Sequence, residues 1–423
     1  MARSDSSLAI GREKNPGALR AFRHPDFRLL WFGAFLSFMG SWIQNVAQGY
    51  YVYQLTGSER ALAMVSFAQM IPVTILGPIA GVLTDTLDKR KVLIATQAIF
   101  AAGALLLAYT AFRGIATYGL LVGVAAVLGT VSAIEMPTRQ SIISRVVPPE
   151  DLGAAIPLNA MTFNISRILG PVIGGMLLRT MGPSACYLVN GLSFFALIFA
   201  VMAIRSDLTS ANKEAGPILD LILEGARYTF RTPALKLLFI LECMVSVFGL
   251  FYLTQIPAIA EKFLHLGKDF FWAYFSVGVG TLSALVLLTT NSHRRIKGLL
   301  ICTAIGFIAF GLIGLSFAKS LWIAFPLFAI LGFASVTIFN TCNTLFQTLS
   351  TDALRGRVVS MHIWALSGIG PFGVLFFGEL AERVGLAPAI RLGGVIMIAA
   401  LALAVWKLPI LKSAEDDPRP AVD

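Results

Sequence analysis

Three observations predict an all-α membrane protein of twelve transmembrane helices in two pseudo-symmetric six-helix bundles. Of the 423 residues 57% are apolar, only 13% are charged, and the mean hydropathy is +0.77. A soluble domain is about 45–50% apolar and about 25% charged. With half that charge the chain cannot cover a water-soluble globule, which excludes a soluble enzyme. Second, the chain holds twelve apolar runs, each long enough to cross about 30 Å of hydrocarbon at about 1.5 Å per residue. Third, the longest polar interruption, 205–234, divides the chain nearly in half.

Taken in order, the runs cover 27–53, 61–83, 92–112, 117–137, 155–178 and 185–204, then 235–257, 270–290, 299–317, 321–344, 358–380 and 387–408. They give an N-terminal tail (1–24), a first bundle (25–204), a linker (205–234), a second bundle (235–408) and a C-terminal tail (409–423). The first 25 residues carry charge throughout, so they read as a cytoplasmic tail and not as a cleaved signal peptide. In the linker, Ile218, Leu219, Leu221, Ile222, Ala226 and Phe230 recur at helical spacing against Asp220, Glu224, Arg227 and Arg231. That pattern predicts an amphipathic helix on the membrane surface.

Lys and Arg gather in the cytoplasmic loops of membrane proteins. With both termini inside, 24 of the 33 basic residues fall on the cytoplasmic side and eight on the other, while Arg167 lies within a span. The bias predicts a multi-pass protein of the cell membrane (the inner membrane in a prokaryote) with both termini cytoplasmic. It also assigns the net charge of +10 to contact with anionic lipid of the bilayer, with no nucleic acid as partner.

The halves repeat. Pro149-Glu-Asp-Leu152 aligns with Thr351-Asp-Ala-Leu354 at a shift of 202. Met181-Gly182-Pro183 aligns with Val384-Gly385-Leu386, and Asn190-Gly191 with Gly393-Gly394, at a shift of 203. Two homologous halves are a known transporter plan. Cys186, Cys243, Cys302 and Cys342 lie in apolar runs without CxxC spacing, as small core residues and not as a disulfide frame or metal site. No G-x-x-x-x-G-K-S/T, HExxH or G-x-S-x-G occurs, and His24, His265, His293 and His362 fall at span ends. Neither ATP hydrolysis nor another enzyme activity is expected, and no cofactor or metal.

After the second run stands Gly81-Val-Leu-Thr-Asp85, followed by Lys89, Arg90 and Lys91. A glycine lets helices approach, and an acid at the cytoplasmic end can pair with a helix N-terminus or a neighbouring cation, closing a gate. In the fifth run, Gly170-Pro171-Val-Ile-Gly174-Gly175 stacks Gly170 over Gly174 beside a proline bend, a surface suited to a sliding interface between halves. After the tenth, Leu354-Arg355-Gly356-Arg357-Val358 adds a basic turn to the gate.

These pieces resemble the major facilitator superfamily over about residues 22–408. Pro137-Thr-Arg139, Val147-Pro-Pro-Glu-Asp-Leu152 and Leu354-Arg-Gly-Arg-Val358 resemble its drug:proton antiporter-3 branch, which includes macrolide and enterobactin-type exporters. The resemblance implies a monomeric secondary transporter that exports a bulky small molecule (drug, macrolide or siderophore) by proton antiport with alternating access. Its partners are then the cargo and protons. The chain departs from the pattern at Thr86 and Asp88, where the family loop has Arg and Gly, and at Pro157 and Ser166, where helix 5 has glycines. A transporter of other direction or cargo, lysophospholipid included, and a non-transporting sensor scaffold fit the same framework.

A charge at the bilayer centre costs about 3 kcal/mol or more, so each needs a reason. Arg167, Glu242 and Glu135 with Arg139 are the candidates for proton coupling. For Glu135 the competing reading is a surface pair with Arg139, four residues on. Gln44, Asn45 and Gln48, with Asn159 and Asn164, could line a cavity from the first half. Asn340 and Asn343, with Phe248 and Tyr252, could line it from the second. Interhelical hydrogen bonding is the alternative for the amides.

Overall fold

The computed structural model describes residues 19–209, 218–290, 296–351 and 354–416, the side chains of 78–86, 218–221, 268 and 416 excepted. The first bundle comprises α1 (Pro25–Thr56), α2 (Glu59–Thr86), α3 (Lys89–Phe112), α4 (Tyr118–Val146), α5 (Leu152–Met181) and α6 (Pro183–Ala203). Helix α7 (Ile218–Arg231) follows. The second bundle begins with α8 (Pro233–Met244), which runs on through a π turn at Val245–Gly249, and a short α9 (Ile256–Lys262). It continues with α10 (Phe271–Thr290), α11 (Lys297–Leu315) and α12 (Leu321–Thr348). Next, α13 (Arg355–Ile363) and α14 (Gly370–Val384) form one span through a second π turn at Trp364–Gly368. Helix α15 (Leu386–Trp406) and a terminal α16 (Leu408–Asp416) complete it.

Eleven stretches among the described residues are long and apolar enough to cross a membrane. Helix α1 has 32 residues, but a row of Ser37, Ser41, Gln44, Asn45 and Gln48 sets it apart from the others. Side-chain caps start several helices: Ser58 accepts from Ala61 N at 3.1 Å, and Thr117 from Leu120 N at 3.3 Å. Asp88, one of the departures from the family pattern, caps α3 by accepting from the amides of Arg90 (3.0 Å) and Lys91 (3.3 Å). The outer faces expose Phe199, Phe310, Val286 and Trp406, as a lipid-facing surface requires.

Packing repeats between the halves. Helix α1 lies against α5 and α6, α2 against α4, and α3 against α6. In the second half α8 with its π turn lies against α14 and α15, α10 against α12, and α11 against α15. Gly182 (φ +82°) and Gly385 (φ +94°), paired by the 203-residue shift, both stand in positive-φ backbone between the fifth and sixth spans of their halves, where a Cβ would be strained.

Helix α7 docks on the second bundle. Arg357 pairs with Glu224, and Tyr228 donates to the Leu349 carbonyl at 3.1 Å. Ile222, Leu223 and Phe230 stay exposed, in keeping with the amphipathic reading of this segment.

Candidate functional site

Contacts between the halves concentrate at the end carrying the 57–58 turn and α9. Glu59, 2% exposed, is paired with Lys262, and its carbonyl accepts from Gln255 at 3.1 Å. Ser58 donates to Glu382 at 2.8 Å, Arg60 pairs with Glu379 at 3.1 Å, and Arg179 with Asp269 at 2.8 Å. Tyr50 stacks on Phe270 with centroids 5.5 Å apart. Small residues allow the approach: a Cβ on Gly378 would lie 2.1 Å from that of Ala63.

Beneath this seal lies a cavity of about 540 Å³ between the halves. Trp42, Asn45 and Gln48 of α1, Ser66 and Gln69 of α2 and Arg167 and Pro171 of α5 form one wall. Ser246, Leu250, Tyr274 and Ser367 contribute to the other. Arg167 is the one charged residue on the wall among the described residues. A second cavity, about 410 Å³, lies within the first bundle and is lined by Gln44, Asn159, Asn164, Glu135 and Arg139 among others.

Each bundle buries a carboxylate against a basic side chain. Glu135 accepts from Arg139 Nε at 2.8 Å and from Gln97 Nε2 at 3.3 Å, and Ser37 donates to Gln97 at 3.3 Å. Arg139 also lies 4.1 Å from the centroid of the Phe38 ring. The pair is an internal network, with side chains 6% and 12% exposed, and not the surface pair weighed above. In the second bundle Glu242, fully buried, meets His362 Nδ1 at 2.8 Å, and Phe346 packs its ring against the imidazole. His362 is 4% exposed, so it is buried although it stands near the start of its span. The span begins at Arg355, so His362 lies two turns inside.

Other expected site residues divide. Asn45 and Gln48 reach the central cavity, whereas Gln44 accepts from Asn190 at 2.7 Å inside the first bundle. Asn164 donates to the Ala160 carbonyl and Asn340 to the Val336 carbonyl, both along their own helices, and Asn343 accepts from Gln347. Asn340, Asn343, Phe248 and Tyr252 stand outside both cavity walls. Phe248 packs on Phe377, and Tyr252 is wholly buried. Phe248 and Tyr252 leave the expected lining because the second bundle turns these aromatics into its own core, whereas Asn340 is exposed and Asn343 half-buried away from both cavities.

The glycine face of α5 is split as well. Cβ atoms on Gly170 and Gly174 would strike Trp42 and Ile43 of α1 in the same half, whereas one on Gly175 would strike Phe271 of the other. Of the residues expected to form the gate, Arg90 donates to the carbonyls of Val201, Met202, Ile204 and Ser206, holding the end of α6. Lys89 is buried, Lys91 lies 3.9 Å from Asp88, and Arg355 donates to the Gln347 carbonyl. The expected roles of Gly81 and Asp85 fall outside the described side chains.

Sequence reasoning missed Ser66, Gln69, Ser246 and Ser367 on the cavity wall, and Glu59 with Lys262 in the seal. The available signal was polarity within or at the edge of apolar runs.

Residues 16–422 match the transmembrane secretion effector family, a branch of the major facilitator transporters. The chain is 25% identical to the multidrug efflux pump Tap of Mycobacterium tuberculosis, over 95% of this chain and 97% of that one. It is 23% identical to the staphyloferrin A transporter of Staphylococcus aureus, over 86% and 92%. In fold it is similar to the solved nucleoside transporter NupG, with a TM-score of 0.72 at 13% identity, over 91% of this chain and 99% of that chain.

Proposed function

The chain belongs to the transmembrane secretion effector family of major facilitator transporters, and on that premise we propose that it exports a drug, macrolide or siderophore in exchange for protons by alternating access. It is a multi-pass efflux-type membrane transporter and not an enzyme. With the basic loops inside, both termini are cytoplasmic, the sealed end faces outward, and the central cavity loads from the cytoplasm. The working unit is one chain, in which residues 25–204 and 235–408 rock about the cavity while the 205–234 linker joins them.

The observation that carries the coupling is the place of the Glu242–His362 pair. Glu242 stands one turn before the π turn at Val245–Gly249, and His362 immediately before the one at Trp364–Gly368. The turns touch each other, with Ser246 donating to the Leu366 carbonyl at 2.7 Å, and Ser246 and Ser367 both face the cavity. π turns recur at functional sites. Only carboxylates and imidazoles at membrane depth exchange protons near neutrality. A proton gained or lost by this pair changes its net charge by one, next to backbone that forms the cavity wall. Glu135 is the weaker carrier because its partner is a guanidinium, which does not deprotonate in proteins.

The test uses proteoliposomes with a macrolide and with staphyloferrin A as cargo. Glu242→Gln and His362→Asn are each expected to reduce pH-driven uphill transport by at least about tenfold, while downhill exchange stays within about threefold of wild type. Uphill accumulation at wild-type rates in Glu242→Gln would overturn the assignment.

A further inference from the structure

We propose, resting on the efflux reading above, that Arg167 is the docking point for an acidic group of the cargo. The central cavity then takes an amphipathic organic anion, with its carboxylate on the guanidinium and its apolar body against the wall.

Arg167 stands midway along α5, about 22 Å from either end of the helix. A cation at that depth is costly unless something compensates it. The buried acids Glu135, Glu242 and Glu59 are committed elsewhere, to Arg139, His362 and Lys262. No ion pair or hydrogen bond of Arg167 occurs among the described residues, and no Asp or Glu lines the cavity.

The chemistry of the wall indicates what completes the site. A guanidinium presents a planar fork of donors that matches a carboxylate bidentately. The amides of Asn45, Gln48 and Gln69 can hold further polar atoms, while Trp42, Leu250 and Val277 offer an apolar wall. About 540 Å³ is the size of a small-molecule site. When the halves rock and the cavity loses its water, an unpaired guanidinium would lose its hydration without replacement. A bound carboxylate removes that penalty, so the anionic cargo itself favours the transition.

The test is equilibrium binding to the purified full-length protein in detergent, without a gradient, followed by dansyl emission. Dansylglycine and dansylglycinamide share one body and differ in carboxylate against neutral amide. Wild type is expected to bind the carboxylate at least about tenfold more tightly, Arg167→Gln to bring the two within about threefold, and Arg167→Lys to keep part of the preference. Equal affinities in wild type, or failure to bind either probe, would overturn the assignment without recourse to any variant. Loss of both probes by the same factor in Arg167→Gln would show a structural arginine. Displacement of dansylglycine by phosphatidylglycerol and not by phosphatidylcholine would give the site to a lipid headgroup, which also overturns it. Because the readout needs no pH gradient, intact carboxylate selectivity beside failed uphill transport would overturn the antiport reading alone.

Discussion

A carboxylate buried in a helical bundle must be compensated, and the two acids inside the bundles are compensated by different chemistries. Glu135 lies in a four-member network with Arg139, Gln97 and Ser37. Removing one partner of such a pair strands the other charge at a cost of about 3–5 kcal/mol, whereas replacing both can be nearly neutral. Arg139→Gln should therefore lower the melting temperature in detergent sharply, and Glu135→Gln/Arg139→Gln should recover most of the loss. A double variant no more stable than Arg139→Gln would remove the pair as the cause. Outside the membrane, Asp26 shows the pH consequence of a clasp. Partial burial raises its pKa, but the Ser206 hydroxyl and amide, the Arg205 amide and the Arg205 charge outweigh it, and the net shift is downward. A depressed carboxylate stabilises the fold above its ordinary pKa of about 4, and that contribution is lost as pH falls through the folded-state value. Asp26→Ala should cost about 1–2 kcal/mol at pH 7. The gap from wild type should close as the pH is taken below about 4. A gap that persists unchanged there would show that the charge is not its source.

At the scale of elements, small residues set how near the halves come. Helices α2 and α14 meet where Gly378 faces Ala63 and the Glu59 carbonyl. A leucine there cannot fit without separating them. Gly378→Leu should thus open the sealed end, and it should do so without touching a charge in the seal. Gln255→Cys reports this, because Gln255 is 1% exposed and donates to the Glu59 carbonyl across the halves. Its reaction with a maleimide should be slow in the otherwise wild-type chain and at least about tenfold faster with Gly378→Leu. An unchanged rate would place the closing contact elsewhere. The Arg90 contacts to the end of α6 make a different point about the cytoplasmic loop: this cation braces its own half, so it is a poor candidate for a moving gate.

For the molecule as a whole, the distribution of charge sets the expected orientation. The sealed end carries fewer basic residues than the end formed by α7, α13 and α16. Cysteine at Lys319 should accordingly react with an impermeant maleimide added to intact cells, and cysteine at Lys412 only after permeabilisation. The reverse pattern would invert the topology and turn the cavity mouth outward. The same charge asymmetry is the basis for reading the cavity as open to the cytoplasm, the side from which an exporter loads.

Much of this plan was legible in the chain itself. Apolar content and run length predict an all-α membrane protein of many spans, because hydrocarbon demands internally satisfied backbone over about 20 residues. The repeat at 203 residues locates Gly182 and Gly385 in corresponding turns, since positive φ selects glycine at both. Arg167 and Glu242 were conspicuous for the simple reason that charge in an apolar run is costly. What tertiary structure alone decided was who meets whom. Glu242 meets His362 across 120 residues of chain, and no periodicity within either helix encodes that distance. Gln44 turns to Asn190 while Gln48, one turn on, faces the cavity, because rotation of α1 about its axis is set by the small residues of α5 and α6 packed against it. The pairing of Glu59 with Lys262 and the place of Arg167 on the cavity wall likewise follow from how two bundles meet, a property of surfaces brought together and not of any run of residues.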